Sequence, residues 1–288
     1  MWFFEKLAQK PLCKLYQLSD AIFWVISHAT IFPFHRNVRN HLRLCFPEYD
    51  NAKIAEIANL HYRCLCDNIA ETIAASNFSD KEMKGSMIYK NIEVIDALFK
   101  QNRFIICYGA HMVGFELFSG FPLWRNQFGL LTYYNANSNN KVVDRWVRKR
   151  RERFGAVCIP THHPLRQIIK TQQEMEKGNS VKQGYIIGSL ADFTPKDSSA
   201  KGRVSFFNSN VNVLIGTERI GNMLNAAFVY AHITRPARGK YEVEFIPLDV
   251  ADNSGQFPYT QAFYNELEKN IRQQPELWNM WGMSEWYK

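Results

Sequence analysis

The sequence predicts an α/β protein, with a mixed, largely parallel central sheet flanked by helices and a membrane-associating helix at the N-terminus. Short runs rich in β-branched and aromatic residues recur from residue 103 onwards, and helical segments lie between most of them. Strands that alternate with helices usually pair in parallel, which predicts the sheet. An apolar run preceded by lysines near the N-terminus predicts the membrane-associating helix.

The N-terminal apolar run covers residues 21–34, AIFWVISHATIFPF, and follows three lysines. Its length is below the roughly 20 residues that a helix needs to span a bilayer. Three alternatives stay open: a cleaved signal peptide, a membrane span, and an in-plane or buried anchor helix. Aromatic residues among the first 35 positions favour the anchor helix. We therefore predict an N-terminal anchor, residues 1–35, and a single α/β domain, residues 36–288.

The remaining chain divides into a long helix and then the alternating pattern. Apolar residues near helical spacing predict a helix over residues 51–76. Strands are predicted at residues 103–108, 128–134, 156–159, 184–190, 227–234 and 241–248. Helices are predicted between them at residues 139–153, 164–177 and 216–225.

The composition restricts the function classes without choosing one. The chain carries 35 Lys and Arg against 27 Asp and Glu, a net charge of +8. Such a balance attracts nucleic acid, anionic lipid headgroups or an acidic protein. The six cysteines are scattered without a C-x-x-C pair, which argues against a zinc ribbon, a redox motif or a disulfide framework.

The stretch ICYGAHMVGFELF, residues 106–118, carries the main candidate for chemistry. His111 follows the end of a predicted strand, where ligands of parallel sheets gather. Glu116 lies five residues later, and five helical residues turn through about 500°, so the two side chains diverge within one regular helix. They can pair if His111 lies in the turn before the helix, and glycines at positions 109 and 114 allow a tight turn.

A carboxylate bonded to one imidazole nitrogen fixes the tautomer and leaves the other nitrogen free to take a proton. The sequence contains no G-x-S-x-G motif, so the base would act on a bound hydroxyl and not on a nucleophile of the protein. The alternative is a structural histidine beside a surface glutamate.

Two further groups of residues are candidates for binding. Six cations lie within nine positions of one predicted helix: Arg145, Arg148, Lys149, Arg150, Arg151 and Arg153. They form either a solvated helix face or a site for lipid phosphate or an acidic carrier protein. Asp192 ends the strand GYIIGSLAD at the sheet edge expected for His111, where it either caps the next loop or belongs to the site.

The chain resembles the lipid A secondary acyltransferases, within the glycerolipid and lysophospholipid acyltransferase superfamily. The resemblance covers nearly the whole chain and rests on a histidine and an acid separated by four residues after a strand, and on further blocks in the expected order. These blocks are RNVRNHLRLCFPE (36–48), VRKRRERFGA (147–156), LADFTPKD (190–197) and the segment that begins RVSFFNSNVNVLIG.

The resemblance implies an O-acyltransferase that uses acyl-acyl carrier protein and needs no metal or redox cofactor. His111 would be the general base and Glu116 would orient it. Arg151, Arg153 and Asp192 would belong to the substrate-binding site, with Arg151 as the preferred phosphate or oxyanion partner. The acceptor would be a hydroxyl of a lipid A precursor, at the cytoplasmic face of the inner membrane.

The sequence departs from the family at two places. Phe193 replaces a usual glutamine, and the C-terminal PELWNMWGMSEWYK, with Trp278, Trp281 and Trp286, replaces a basic run after a tryptophan. The second departure keeps open another acceptor, such as an amino-acid lipid or a glycolipid. A non-catalytic lipid-binding membrane protein is the alternative from another class. Nucleic-acid binding is disfavoured, because the basic cluster is helical and the predicted strands are apolar.

Overall fold

A seven-stranded sheet forms the centre of the molecule. The computed structural model describes residues 2–28, 33–134, 141–195, 201–250 and 256–283. The strands are β1 (Met87–Tyr89), β2 (Phe104–Gly109), β3 (Phe128–Tyr134), β4 (Ala156–Pro160), β5 (Gly184–Leu190), β6 (Gly202–Phe206), β7 (Ser209–Val213), β8 (Ala227–Ala237) and β9 (Lys240–Pro247). The sheet order is β1-β9-β8-β2-β5-β3-β4, and only the β8–β9 pair is antiparallel. The mixed, largely parallel sheet that we predicted is confirmed.

Helices flank this sheet and form the N-terminal part of the chain. The α-helices are α1 (Trp2–Ala8), α2 (Leu12–His28), α3 (Pro33–Cys45), α4 (Asn51–Ala75), α5 (Asp80–Ser86), α6 (Glu93–Leu98), α7 (Lys141–Glu152), α8 (Pro164–Glu176), α9 (Gly216–Met223) and α10 (Pro258–Gln273). Two 3₁₀ helices cover Phe115–Leu123 and Pro275–Leu277.

The core lies on both faces of the sheet, because successive side chains of a strand point to opposite sides. On one face Tyr108 of β2 stacks on Phe263 of α10, with ring centroids 5.0 Å apart. On the other face Phe245 of β9 meets Phe121 of the first 3₁₀ helix at 6.1 Å. The interior of β2 is almost fully buried, as expected for a central parallel strand.

One element that the sequence pattern did not predict is the separate β6–β7 hairpin. Its two-residue turn consists of Phe207 and Asn208, both with positive φ, at 46° and 58°. Hairpin turns of this kind favour Asn-Gly or Asp-Gly, so the usual sequence signal is missing. Phe207 is nevertheless buried, and its backbone N–H donates to Glu268 of α10 at 2.9 Å. Tertiary contacts therefore support a conformation that the local sequence disfavours.

Helix α2 is fixed to α4 by polar contacts. Ser19 Oγ donates to the carboxylate of Asp67 at 2.7 Å, and both side chains are buried. Arg238, just after β8, contacts Asp20 of α2 at 2.7 Å and also Asp67. Helix α2 is thus packed on the rest of the protein through hydrogen bonds and ion pairs.

The outward face of α2 carries apolar side chains. Leu18, Ile22 and Val25, spaced four and three residues apart, are exposed by 45, 39 and 56%. Among the described residues, no helix combines the length and the hydrophobicity needed to cross a bilayer. Residues 29–32 of the apolar run, the side chains of residues 1–4 and 33–35, and Trp286 lie outside the described part of the structure.

Candidate active site

His111 lies in the turn that follows β2, at the carboxyl end of the strand, where the sequence pattern predicted it. Gly114 closes this turn with a φ of +87°. A Cβ at this position would lie 2.5 Å from the ring of Tyr241, so both the conformation and the space require glycine. The N–H of Gly114 donates to Asn68 of α4 at 3.1 Å, which fixes the turn against the long helix.

A pocket of about 560 Å³ opens beside this turn. His111, Glu116 and Arg151 line it together, and most of the remaining lining is apolar, including Leu130 and Ile233. Both the volume and the mixture of an apolar wall with a few polar groups are typical of sites for organic ligands.

The ring of His111 is held by Asp192. Its Nδ1 lies 2.7 Å from Oδ1 of Asp192, and its backbone N–H donates to Oδ2 at 2.8 Å. The carboxylate is fully buried, while 31% of the histidine side chain is exposed. With Nδ1 bound to a carboxylate, this nitrogen carries the proton, and Nε2 is the basic atom. The described residues provide no hydrogen-bond partner for Nε2.

Register explains why Asp192 reaches the histidine. Strands β2 and β5 pair in parallel, and Gly109 lies opposite Leu190. His111 and Asp192 are each two residues beyond this pair, so both leave the sheet at the same level.

Segment 277–279 closes the turn from the other side. The backbone N–H of Val113 donates to the carbonyl of Leu277 at 2.7 Å, and the N–H of Asn279 donates to the carbonyl of His111 at 2.8 Å. The indole Nε1 of Trp278 donates to Oδ2 of Asp192 at 2.9 Å. The turn is therefore held in two ways: Asp192 binds the side chain of His111, and segment 277–279 binds the backbone.

Glu116 is bound by two guanidinium groups of α7. Arg151 binds it in a bidentate manner, with Nε at 2.9 Å and Nη2 at 2.6 Å, and Nη2 of Arg150 lies 2.5 Å from the same carboxylate. The side chains of Arg150 and Arg151 are 3 and 16% exposed. Arg151 reaches the pocket, whereas Arg150 is not among the lining residues.

The structure differs from our expectation about the partner of His111. We expected Glu116 to form the hydrogen bond to the ring, but Asp192 occupies that position and Glu116 pairs with the two arginines. The physical reason is that two guanidinium groups bind a carboxylate more strongly than one neutral imidazole does. Glu116 still influences His111 through its charge.

The three residues predicted to bind substrate differ in whether they line the pocket. Arg151 lies in the pocket. Arg153 is exposed and outside it, and its Nη1 donates to the carbonyl of Ser76 at the end of α4 at 2.6 Å. Asp192 lies behind His111 and not in the pocket lining, where the neighbouring Phe193 is found instead. The sequence pattern included Arg150 only as one of six clustered cations, and it gave no role in the site to Trp278.

The charges of the site set the protonation of its two main groups. Burial lowers the pKa of His111, but the charge and hydrogen bond of Asp192, together with the charge of Glu116, outweigh it and raise the pKa above the ordinary 6.5. Burial raises the pKa of Glu116, but Arg150 and Arg151 lower it to about 2. Glu116 is therefore ionised at neutral pH and does not carry a proton.

The pocket also contains a thiol, Cys107 of β2. Burial raises its pKa to about 12. Since the thiolate is the nucleophilic form, Cys107 is inert at neutral pH. The basic atom available in the pocket is Nε2 of His111.

The fold and the site define an α/β protein with a carboxylate-held histidine at a mostly apolar pocket, a design suited to moving a proton on an amphipathic substrate. The family model described as bacterial lipid A biosynthesis acyltransferase matches residues 2–286. The chain therefore belongs to the bacterial lipid A biosynthesis acyltransferase family, and it is an acyltransferase of lipopolysaccharide biosynthesis, as the resemblance implied. The comparison with curated proteins finds no match.

Proposed function

We propose that this enzyme transfers a fatty acyl chain from acyl-acyl carrier protein to a hydroxyl group of a lipid A precursor, with His111 as general base. One observation carries the proposal: Nδ1 of His111 is held by Asp192, while Nε2 has no partner among the described residues and the side chain lines a large apolar pocket. The family supports the acyl transfer and the lipid A precursor.

The reaction needs only proton transfer and charge stabilisation, because a thioester already carries a good leaving group. Nε2 of His111 takes the proton of the acceptor hydroxyl as its oxygen attacks the thioester carbonyl. The carbonyl π electrons move to oxygen and form a tetrahedral oxyanion. When this intermediate collapses, the carbon–sulfur bond breaks, and the imidazolium returns its proton to the departing thiolate. Asp192 stabilises the imidazolium between these steps.

Arg151 is the proposed partner of the oxyanion or of a substrate phosphate. Two of its nitrogens bind Glu116, and Nη1 makes no hydrogen bond with the described residues. Two arginines around one carboxylate leave one positive charge in excess beside the pocket, which favours a developing negative charge. In this role Glu116 orders Arg151 and does not orient His111.

The apolar part of the pocket is the proposed place of the acyl chain. Leu130, Phe118, Ala231 and Ile233 contribute to its lining, together with Cys107 in its uncharged form. Apolar surface of this kind favours an alkyl chain at roughly 0.8 kcal/mol for each buried CH₂ group.

We further propose that the enzyme works at the cytoplasmic face of the inner membrane, with α2 lying in the interface. The exposed stripe of Leu18, Ile22 and Val25 supports this orientation, because the protein side of α2, with buried Leu15 and Ser19, already packs on the rest of the molecule. The triple variant L18D/I22D/V25D should lose flotation with anionic vesicles, while V181D, a change at another exposed apolar residue, should keep it. Equal flotation of both variants would contradict the interfacial position.

A second acceptor class stays a candidate because of the C-terminal segment. Where the family has a basic run, this chain has Gly282 and Met283, and the N–H of Gly282 bonds to buried His41 at 3.2 Å. This supports packing rather than headgroup recognition around residue 282. Mass spectrometry of total lipids from cells with and without the protein distinguishes a lipid A precursor from an amino-acid lipid or a glycolipid.

The test of the base is transfer of a radiolabelled acyl chain from acyl-acyl carrier protein to a lipid A precursor in detergent. His111→Ala should lower the rate by about 10²–10⁴-fold, the usual contribution of a general base. His162→Ala, at an exposed histidine outside the pocket, is the matched control and should keep the rate. A fully active His111→Ala enzyme would remove the base from the mechanism.

A further inference from the structure

Trp278 lies behind the pocket and not in it. Its side chain is completely buried, and it is absent from the residues that line the pocket. Its indole Nε1 donates to Oδ2 of Asp192 at 2.9 Å, while Oδ1 of the same carboxylate faces Nδ1 of His111 at 2.7 Å. The indole and the imidazole are therefore connected through one buried carboxylate.

The backbone around Trp278 contacts the same turn. Met112 and Trp278 form an isolated antiparallel bridge, and the backbone of Leu277 and Asn279 bonds to that of Val113 and His111. Segment 277–279 thus holds the position of the turn, while the indole of Trp278 acts on the carboxylate that binds the ring.

We infer that Trp278 is a positioning residue, which orients Asp192 and limits how strongly this carboxylate attracts a proton onto His111. The inference rests on the proposed role of His111 as base. A donor on Oδ2 withdraws part of the charge of the carboxylate, so the imidazolium is stabilised less. A base has to be unprotonated to act, and Trp278 counteracts excessive protonation of His111 at neutral pH.

The other groups near this pair do not replace the indole. Glu116 of the first 3₁₀ helix and Arg151 of α7 act on His111 through their charges, with opposite signs. Tyr230 of β8 and Tyr264 of α10 lie near Asp192, and burial raises the pKa of both phenols, so they are uncharged. The side-chain donors to Asp192 among the described residues are His111 and Trp278.

The chain provides a matched control in Trp281. Its side chain is equally buried, its ring centroid lies 4.7 Å from that of Trp278, and its Nε1 donates at 2.6 Å to the carbonyl of Pro275 and not to Asp192. Trp278→Phe and Trp281→Phe therefore remove the same atoms from the same aromatic cluster. Only Trp278→Phe removes the hydrogen bond to the carboxylate.

The experiment measures the protonation of His111 directly. The full-length variants are treated with diethyl pyrocarbonate over a range of pH, and the modification rate of the peptide that contains His111 is followed by mass spectrometry. In Trp278→Phe the pKa of His111 should rise by roughly 0.5–1 pH unit, and in Trp281→Phe it should equal that of the wild type. The kcat of Trp278→Phe at pH 7 should fall with little change in KM, because the indole does not line the pocket.

An unchanged or lowered pKa of His111 in Trp278→Phe would overturn the inference. The titration needs no acyl transfer, so an inactive wild-type assay or an active His111→Ala enzyme would refute the proposed function alone. If Trp278→Phe does not fold, β-(benzothien-3-yl)alanine introduced at position 278 keeps the bicyclic shape without the N–H. The same rise in pKa is expected, and its absence overturns the inference equally.

Discussion

Two clusters of charge differ in what surrounds their polar atoms. The active-site cluster, at the candidate active site, consists of His111, Glu116, Arg150, Arg151 and Asp192. The N-terminal ion cluster connects α2, α4 and the β8–β9 region and consists of Asp20, Arg63, Asp67, Glu71, Arg235 and Arg238. Each contains a carboxylate of low exposure that is paired with two arginines: Glu116, 14% exposed, in the first and Asp67, 2% exposed, in the second.

In the N-terminal ion cluster the charges are matched within the protein. Three acids meet three arginines, and Asp67 accepts from Ser19, Arg235 and Arg238. Among its buried nitrogens, Nε of Arg235 has no partner among the described residues. Arg63, at its edge, is 42% exposed and reaches solvent. The pocket beside the N-terminal ion cluster has a volume of about 230 Å³, less than half that of the active-site pocket.

In the active-site cluster, two nitrogens without a partner belong to residues that line the larger pocket: Nε2 of His111 and Nη1 of Arg151. Buried ion pairs by themselves therefore do not identify a site. The difference is a polar atom left free at a cavity that can hold a ligand. We expect changes in the active-site cluster to affect activity and changes in the N-terminal ion cluster to affect stability.

Among the variants that compare the two clusters, the largest effect is expected for Asp192→Asn. The amide keeps the shape but stabilises neither the imidazolium nor the required tautomer, so kcat should fall by about 10³–10⁴-fold. Circular dichroism and kinetics of the same sample check that the protein is folded. Activity within tenfold of the wild type would show that the buried carboxylate is only structural.

The counterpart in the N-terminal ion cluster is Asp67→Asn. Removing one partner of a buried ion pair costs about 3–5 kcal/mol of unfolding free energy, since Arg235 and Arg238 lose their shared carboxylate. Urea unfolding measures this loss, and the kcat of the folded fraction should be unchanged. Glu56→Gln, in an exposed pair with Lys53, is the control and should leave the urea midpoint unchanged. An Asp67→Asn protein with unchanged stability and lost activity would show that the N-terminal ion cluster serves activity, which contradicts the comparison.

A smaller effect is expected for Arg151→Ala. Losing a charged hydrogen bond to the oxyanion or to a phosphate should lower kcat/KM by roughly 10–100-fold. Arg153→Ala, in the same basic run but outside the pocket, should stay within about twofold. Equal losses in the two variants would favour the interpretation of this run as a general basic surface.

The smallest effect concerns histidines outside both clusters. Burial lowers the pKa of His61 to about 4 and that of His41 to about 3. Each therefore contributes stability that is complete above pH 6.5 and is lost as the pH falls from 6.5 towards the folded pKa. Between pH 7.5 and 5.5 the loss should be about 1 kcal/mol for each. His111, with its raised pKa, has the opposite sign, since its contribution is complete below pH 6.5 and is lost as the pH rises through its folded pKa.

Urea unfolding at the two pH values measures the acid effect, and His61→Gln should reduce it. An equal pH dependence in His61→Gln and the wild type would show that burial of this ring is not linked to acid stability.

The sequence predicted the sheet well, because its strands are short apolar runs separated by clear helices. The bounds of β3 and β5 agree with the predicted ranges of 128–134 and 184–190. The β6–β7 hairpin was missed since its turn carries Phe207 in place of a glycine or asparagine. β1 has only three residues, too few for a periodic pattern.

The placement of the candidate site residues at the ends of the strands followed from the sequence, and their contacts followed only in part. The end of a strand located His111, and the equivalent position beyond the paired strand could have indicated Asp192 as its partner. The pairing of Glu116 depends on how α7 is rotated over the first 3₁₀ helix, which spacing along the chain does not determine. Trp278 reaches Asp192 across 86 residues, so its role also requires the tertiary fold.

The hydrogen bonds around His111 have a consequence for folding kinetics. His111 bonds to Asp192, which lies 81 residues later in the chain, and Asp192 bonds to Trp278, a further 86 residues later. Contacts of such sequence separation form late, because the intervening chain has to be ordered first. During refolding from urea, far-ultraviolet dichroism should therefore recover before catalysis does, and the newly collapsed chain should pass through a stage with native helices and no enzymatic turnover.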